Sequence, residues 1–169
     1  MAKQLLVGFI LSVLTMCVIA QRVNDKFVVK TLPTGKVIYI SKTFMSWYGG
    51  LDYCNKFGLS LVSLNSQNEN KQLSNVLQKV LPRNEVHCWL GGYKFQDENG
   101  FNSLRWVNGG RNITFTNWAK SEPSHGNEHC LEMYYRQYRG DVATWNDRYC
   151  HDKHPFVCEK RSHGNAKRC

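Results

Sequence analysis

After residue 20 the sequence lacks any apolar run that reaches the ~20 residues a membrane-spanning helix needs, so no helical span is expected in the body of the chain. Internal repeats and low-complexity tracts are missing too, which removes solenoids and fibrous arrays. No nucleophile elbow is present, and no other grouping of nucleophile, base and orienting residue is legible, so an enzyme is not expected. Acid is scarce: 13 Asp and Glu stand against 22 Lys and Arg, for a formal charge of +9. Length is short as well, since 169 residues accommodate one domain and leave little room for two.

What is present begins with a leader. Lys3 is followed by an apolar stretch from Leu5 to Ile19 and a small residue at Ala20, the pattern of a cleaved signal peptide over residues 1–20. The stretch is too short for a spanning helix, so the mature protein is expected to be secreted and extracellular. Six cysteines remain after the leader: Cys54, Cys88, Cys130, Cys150, Cys158 and Cys169. An even set in an oxidising compartment implies disulfides, with 15 connectivities open on spacing alone. The Asn112-Ile113-Thr114 sequon agrees with passage through the secretory pathway and an exposed loop. Basic residues gather at Lys160, Arg161, Lys167 and Arg168. A secreted, disulfide-bearing chain seldom meets nucleic acid, so this charge points to acidic glycans and cell surfaces, or to solubility alone.

Residues 27–40 alternate apolar and polar positions around Pro33-Thr34-Gly35, which predicts a β-hairpin or two short strands. Phe44, Trp47, Leu51, Cys54 and Phe57 follow the helical period over residues 43–57, and Gly58 ends it. A second helix is predicted from Ser66 to Val80, with a stripe of Leu73, Val76, Leu77 and Val80 and a stop at Pro82. Short β-prone runs follow at residues 87–95, 103–107, 130–135, 143–145 and 155–159. Residues 108–127 are polar and aperiodic, and a connection that long inside a compact domain is usually functional or disordered. Phe115 and Trp118 favour an ordered loop.

Glu122 and Glu128 fall in that loop, while Asn146 and Asp147 follow a strand and precede Cys150. Calcium takes six to eight oxygen ligands, and these are oxygen donors on two segments. Composition alone leaves a calcium cage and a merely solvated loop both open. His125 and His129 are spaced for zinc on a helix, but Pro123 and Gly126 argue against a helix there. Glu122 and Glu128 imitate the paired acids of a glycosidase, yet nothing nearby in the sequence suggests a raised pKa. Trp47, Trp89, Trp106 and Trp145 read as core, and Trp118 stays open between core and sugar platform.

The ordered set of Cys54 in a helix, Trp89-Leu90-Gly91-Gly92, Glu122-Pro123-Ser124, Glu128-His129-Cys130, Trp145-Asn146-Asp147, Cys150 and Phe156-Val157-Cys158-Glu159 resembles a C-type lectin domain. The resemblance covers residues 27–160, leaving an extension at 21–26 and a basic tail at 161–169. It implies an α+β fold with two helices flanking antiparallel sheets and a long irregular binding loop. It further implies disulfides Cys54–Cys158 and Cys130–Cys150, a cis bond before Pro123, and a calcium ion held by Glu122, Glu128, Asn146 and Asp147. Sugar would bind through that ion, with Ser124 also in the carbohydrate site. The family's mannose-type triplet is Glu-Pro-Asn and its galactose-type triplet Gln-Pro-Asp; here Ser124 breaks both, and Glu122 alone leans toward mannose or fucose. The stretch from Glu122 to Cys130 is about two residues shorter than is common in the family. Cys88 and Cys169 remain, to pair within the chain or, through Cys169, to join two chains as a homodimer. The resemblance to small insect lectins implies glycoproteins or microbial glycans as partners, with innate immunity as the setting. The rival reading is a lectin-like protein-interaction module that has lost its sugar.

Overall fold

The computed structural model describes residues 23–81, 85–96, 102–124, 126–136 and 141–162. The leader, His125, most of the basic tail and Cys169 lie outside the described residues.

The predicted hairpin is β1 (Phe27–Thr31) paired with β2 (Val37–Ser41), Val29 opposite Tyr39. Ile38 and Ile40 are fully buried while Val37 and Tyr39 are half-buried, as alternation demands of a strand with one covered face. Helix α1 (Trp47–Lys56) starts later than residue 43. The Ser46 hydroxyl caps it by accepting from the Gly49 N–H at 3.2 Å, and Met45 is drawn into a β-bridge with His154, so residues 43–45 stay outside the helix. Phe44 therefore leaves the stripe and is 50% exposed. Gly50 has a packing reason, since a Cβ there would come within 3.1 Å of the Phe156 ring.

β3 (Leu59–Leu61) was not foreseen: three residues buried without alternation carry no period to read. Helix α2 (Gln67–Val80) matches its prediction. The Ser66 hydroxyl accepts from the Glu69 N–H at 3.2 Å while Glu69 reaches back to the Asn65 N–H at 2.9 Å, a reciprocal cap. Leu73 and Leu77 are buried, and Val76 and Val80 pack at the edge of the same cluster.

The remaining strands are β4 (Glu85–Gln96), β5 (Asn102–Trp106), β6 (Cys130–Arg136), β7 (Asp141–Arg148) and β8 (Val157–Lys160). One sheet runs β1-β2-β8-β3 and the other β5-β4-β6-β7, and every pairing is antiparallel. This is the expected α+β arrangement. Trp89, Trp106 and Trp145 are fully buried and Trp47 nearly so. Two disulfides tie the layers: Cys54–Cys158 joins α1 to β8, and Cys130–Cys150 links the start of β6 to the turn after β7. Cys88 is a free thiol on the core face of β4, and burial pushes its pKa up; Cys169, its partner in one of the two expected arrangements, lies outside the described residues.

β4 crosses β3 at close range because of Gly91. A Cβ there would lie 2.7 Å from the Leu61 carbonyl oxygen, a backbone atom that cannot swing aside. Gly91→Ala is therefore expected to destabilise the domain by about 1–3 kcal/mol, the usual cost of overpacking, seen as a lower denaturation midpoint with unchanged slope.

Candidate functional site

The aperiodic segment before β6 is ordered by its contacts with β7. The Trp145 N–H donates to the Asn117 carbonyl at 2.8 Å, and the Ala119 N–H donates to the Trp145 carbonyl at 2.9 Å, so residues 117–119 run alongside β7. The Asn117 amide reaches the Ala143 carbonyl at 2.6 Å. Trp145 is itself locked from α2: its indole N–H donates to Asn70 Oδ1 at 2.7 Å, while Asn70 Nδ2 donates to the Ala143 carbonyl at 2.8 Å. Phe115 and Trp118 meet the Trp145 ring edge-on, with centroids 5.4 and 6.1 Å away. Trp118 thus serves as packing for the loop and sits at the margin of the core. Residues 122–124 are delivered beside Asp147 by this strip, and the Glu122–Pro123 bond is cis, as the resemblance implied.

Asp147 is almost wholly buried. Its Oδ1 accepts from the Ser124 backbone N–H at 2.7 Å and lies 3.3 Å from the Ser124 hydroxyl. That hydroxyl donates a short hydrogen bond to Glu128 Oε2. Lys94, on β4, places its ammonium against Asp147 Oδ2 and 3.1 Å from the Ser124 carbonyl. Burial, then the Asp147 carboxylate, and to a lesser degree Glu128, hold the Glu122 carboxyl above its ordinary pKa, against the lowering effect of the Ser124 N–H. This corrects the expectation that nothing raises a pKa here: at Glu122 burial does so first and the like charge of Asp147 second, and folding supplies both.

Glu122, Ser124, Glu128 and Asp147 are therefore brought together. Asn146 is not. In register opposite Glu132, it lies on the other face of β7, and its amide donates to Glu132 Oε1 at 2.9 Å. An extended strand turns neighbouring side chains to opposite faces, and β7 continues through Arg148, so Asp147 and Asn146 diverge. Lys94, four residues after Leu90 on β4, was missed by sequence reasoning. No signal within the strand singles it out, because it meets Asp147 only in the folded chain, 53 positions away.

A calcium ion fits this donor set on two observations. Glu122 Oε2 is buried with no hydrogen-bond partner, an orphaned acceptor of the kind a cation satisfies. Three carboxylates, Glu122, Glu128 and Asp147, also crowd together with a lysine ammonium on Asp147 alone, an excess of acid that a divalent ion can offset.

A family model described as the lectin C-type domain matches residues 43–160. The chain belongs to the C-type lectin domain family. Among curated relatives, C-type lectin mosGCTL-7 of Aedes aegypti is 32% identical over 129 residues, covering 75% of this chain and 84% of that protein. Salivary C-type lectin 1 of Aedes albopictus is 30% identical over 119 residues, covering 68% of this chain and 76% of that protein. In fold, the C-type lectin domain of murine dendritic cell inhibitory receptor 2, solved in complex with an N-glycan, aligns with a TM-score of 0.62 at 24% identity, over 79% of this chain and 96% of that one. The lectin domain of this chain thus carries the family's order of elements and both of the implied disulfides. Among the described residues no helix is long and apolar enough to cross a membrane.

Proposed function

We propose that the protein is a secreted, calcium-dependent lectin that binds terminal sugars on glycoproteins or microbial surfaces. The observation that carries this reading is the meeting of Glu122 and Glu128 from one segment with Asp147 from another, around a buried carboxylate oxygen that has no partner. Glu122, Glu128 and Asp147 would hold the ion, whose remaining coordination positions two adjacent hydroxyls of a monosaccharide can fill. The carboxylates then accept the sugar's hydroxyl protons. Ser124 can both donate and accept, but its hydroxyl is already committed to Glu128. Asn146 joins the set only by giving up its bond to Glu132. With Glu122 in the first place of the triplet, mannose or fucose is the favoured sugar class over galactose. Binding to one monosaccharide is weak for such sites, so clustered ligands or a dimer would supply useful avidity. Asn112 is exposed, which supports its use as a glycosylation site, and the two disulfides support an extracellular location.

One observation favours the rival class, a protein-interaction module without sugar. Lys94 already pairs with Asp147, so part of the ion's charge is met from within the chain. Chromatography of the mature protein on mannose, fucose and galactose matrices separates the two. The lectin reading predicts retention in millimolar calcium and release by chelator; passage through every matrix would transfer the assignment to the interaction module.

A further inference from the structure

The face of the β5-β4-β6-β7 sheet opposite Cys88 and Asp147, which packs on a second core cluster around Trp89, carries a group of different chemistry. Trp89 stands opposite Glu132 in the β4–β6 register, and His87 opposite Tyr134, so His87, Trp89 and Glu132 share one face. His154 comes from the segment before β8, fixed there by reciprocal backbone hydrogen bonds with Met45 at 3.0 Å. Its ring stacks 5.2 Å from that of His87 and meets Trp89 edge-on at 4.8 Å.

Glu132 is completely buried. One oxygen is well served: Oε1 accepts from Asn146 at 2.9 Å and lies 3.0 Å from His87 Nδ1. The other is not. Glu132 Oε2 has no hydrogen-bond partner, and neither does His154 Nε2, although both are buried and stand only 3.6 Å apart. An ion pair between His87 and its carboxylates accounts for Oε1 alone and leaves this facing pair of polar atoms idle.

We propose that His87, Glu132 and His154 form a binding site for a zinc-class divalent cation, separate from the carboxylate loop. One ligand atom from each of the three lies within 4.8 Å of the other two. Zinc binds nitrogen and oxygen at about 2.0–2.2 Å, so two ligand atoms on a tetrahedral ion stand about 3.4 Å apart, close to the separation of the orphaned pair. Two imidazoles and one carboxylate suit zinc and its first-row neighbours, whereas calcium prefers the all-oxygen loop. The second nitrogen of His87 lies 2.9 Å from Glu85 Oε1, the carboxylate–imidazole arrangement that orients metal-bound histidines. A cavity of about 160 Å³, lined in part by His87, His154, Phe44 and Pro155, opens beside the cluster and gives a fourth ligand, water, a route in. The ion would tie β4 and β6 to the segment that enters β8. To ligate, His87 Nδ1 must be unprotonated, with the ring proton on Nε2 toward Glu85.

Titration of the full-length oxidised protein with cobalt(II), then displacement by zinc(II), both in excess calcium, tests the site. One equivalent of cobalt is expected to give the visible bands of a low-coordinate ion with no thiolate charge-transfer band, and zinc is expected to raise the thermal midpoint. His154→Ala and Glu132→Gln should each weaken binding at least about tenfold and remove the zinc-dependent shift, Glu85→Gln should weaken it up to about tenfold, and Asp147→Asn should leave it unchanged. His154→Gln, which keeps most of the volume, replaces His154→Ala if that variant fails to fold. Absence of stoichiometric binding overturns the proposal, as does binding that His154 and Glu132 substitutions leave intact, since that metal would be held by other histidines.

Discussion

Asp147→Asn is expected to lower calcium-dependent sugar retention by on the order of a hundredfold while leaving the disulfide-tied fold in place. The change conserves shape and removes one charge. Asp147 is the residue through which the loop and β7 are joined: it accepts from the Ser124 N–H, contacts the Ser124 hydroxyl, and pairs with Lys94. A hydrogen bond to a charged group contributes roughly 1.5–3 kcal/mol, and about 2.7 kcal/mol corresponds to a hundredfold in affinity. The carboxamide also presents an N–H₂ group where the ion and Lys94 both need oxygen. Retention equal to wild type by Asp147→Asn, with a normal thermal midpoint, would place the sugar site elsewhere.

The largest expected loss of stability belongs to Trp145. The ring is fully buried and meets Trp106, Phe115 and Trp118 edge-on, with centroids 5.8, 5.4 and 6.1 Å away. Trp145→Ala is expected to cost about 3–5 kcal/mol, as truncations of buried tryptophan do. Trp145→Phe isolates a second contribution, because it keeps an aromatic ring but strands Asn70 Oδ1, which accepts the indole N–H at 2.7 Å. An orphaned buried acceptor costs roughly 1–3 kcal/mol, so the phenylalanine variant should fall between wild type and alanine in denaturant midpoint. Trp145→Ala should also weaken sugar retention, because the Trp145 ring is the surface on which Phe115 and Trp118 of the loop pack. A Trp145→Ala variant as stable as wild type would contradict this account of the loop.

The elements legible in the sequence were those with a period long enough to read. Helix α2 carried its apolar stripe, and the β1–β2 pair carried its turn residues. β3 has three residues and no alternation, and α1 was displaced by a pairing between Met45 and His154 that lies outside any local pattern. The site divided along the same line. Glu122, Ser124, Glu128 and Asp147 are gathered because the loop strip and the Cys130–Cys150 bridge bring two segments together. Asn146 was read with its neighbour as a pair, but strand alternation separates adjacent side chains, and Glu132 captures its amide from the facing strand. Cross-strand register of this kind is invisible to spacing within one segment. For the same reason the proximity of His87, Glu132 and His154, three residues spread over 68 positions, was not legible.

Equilibrium titration of the purified protein with calcium, in the presence and absence of saturating mannose or fucose, tests the central claim most directly. One ion is expected to bind with a dissociation constant of about 0.1–1 mM, and more tightly when the sugar is present, because ligands that complete one coordination shell raise each other's affinity. No saturable calcium binding up to tens of millimolar, about tenfold beyond that range, would contradict it and leave Glu122, Glu128 and Asp147 as a cluster served by Lys94 alone.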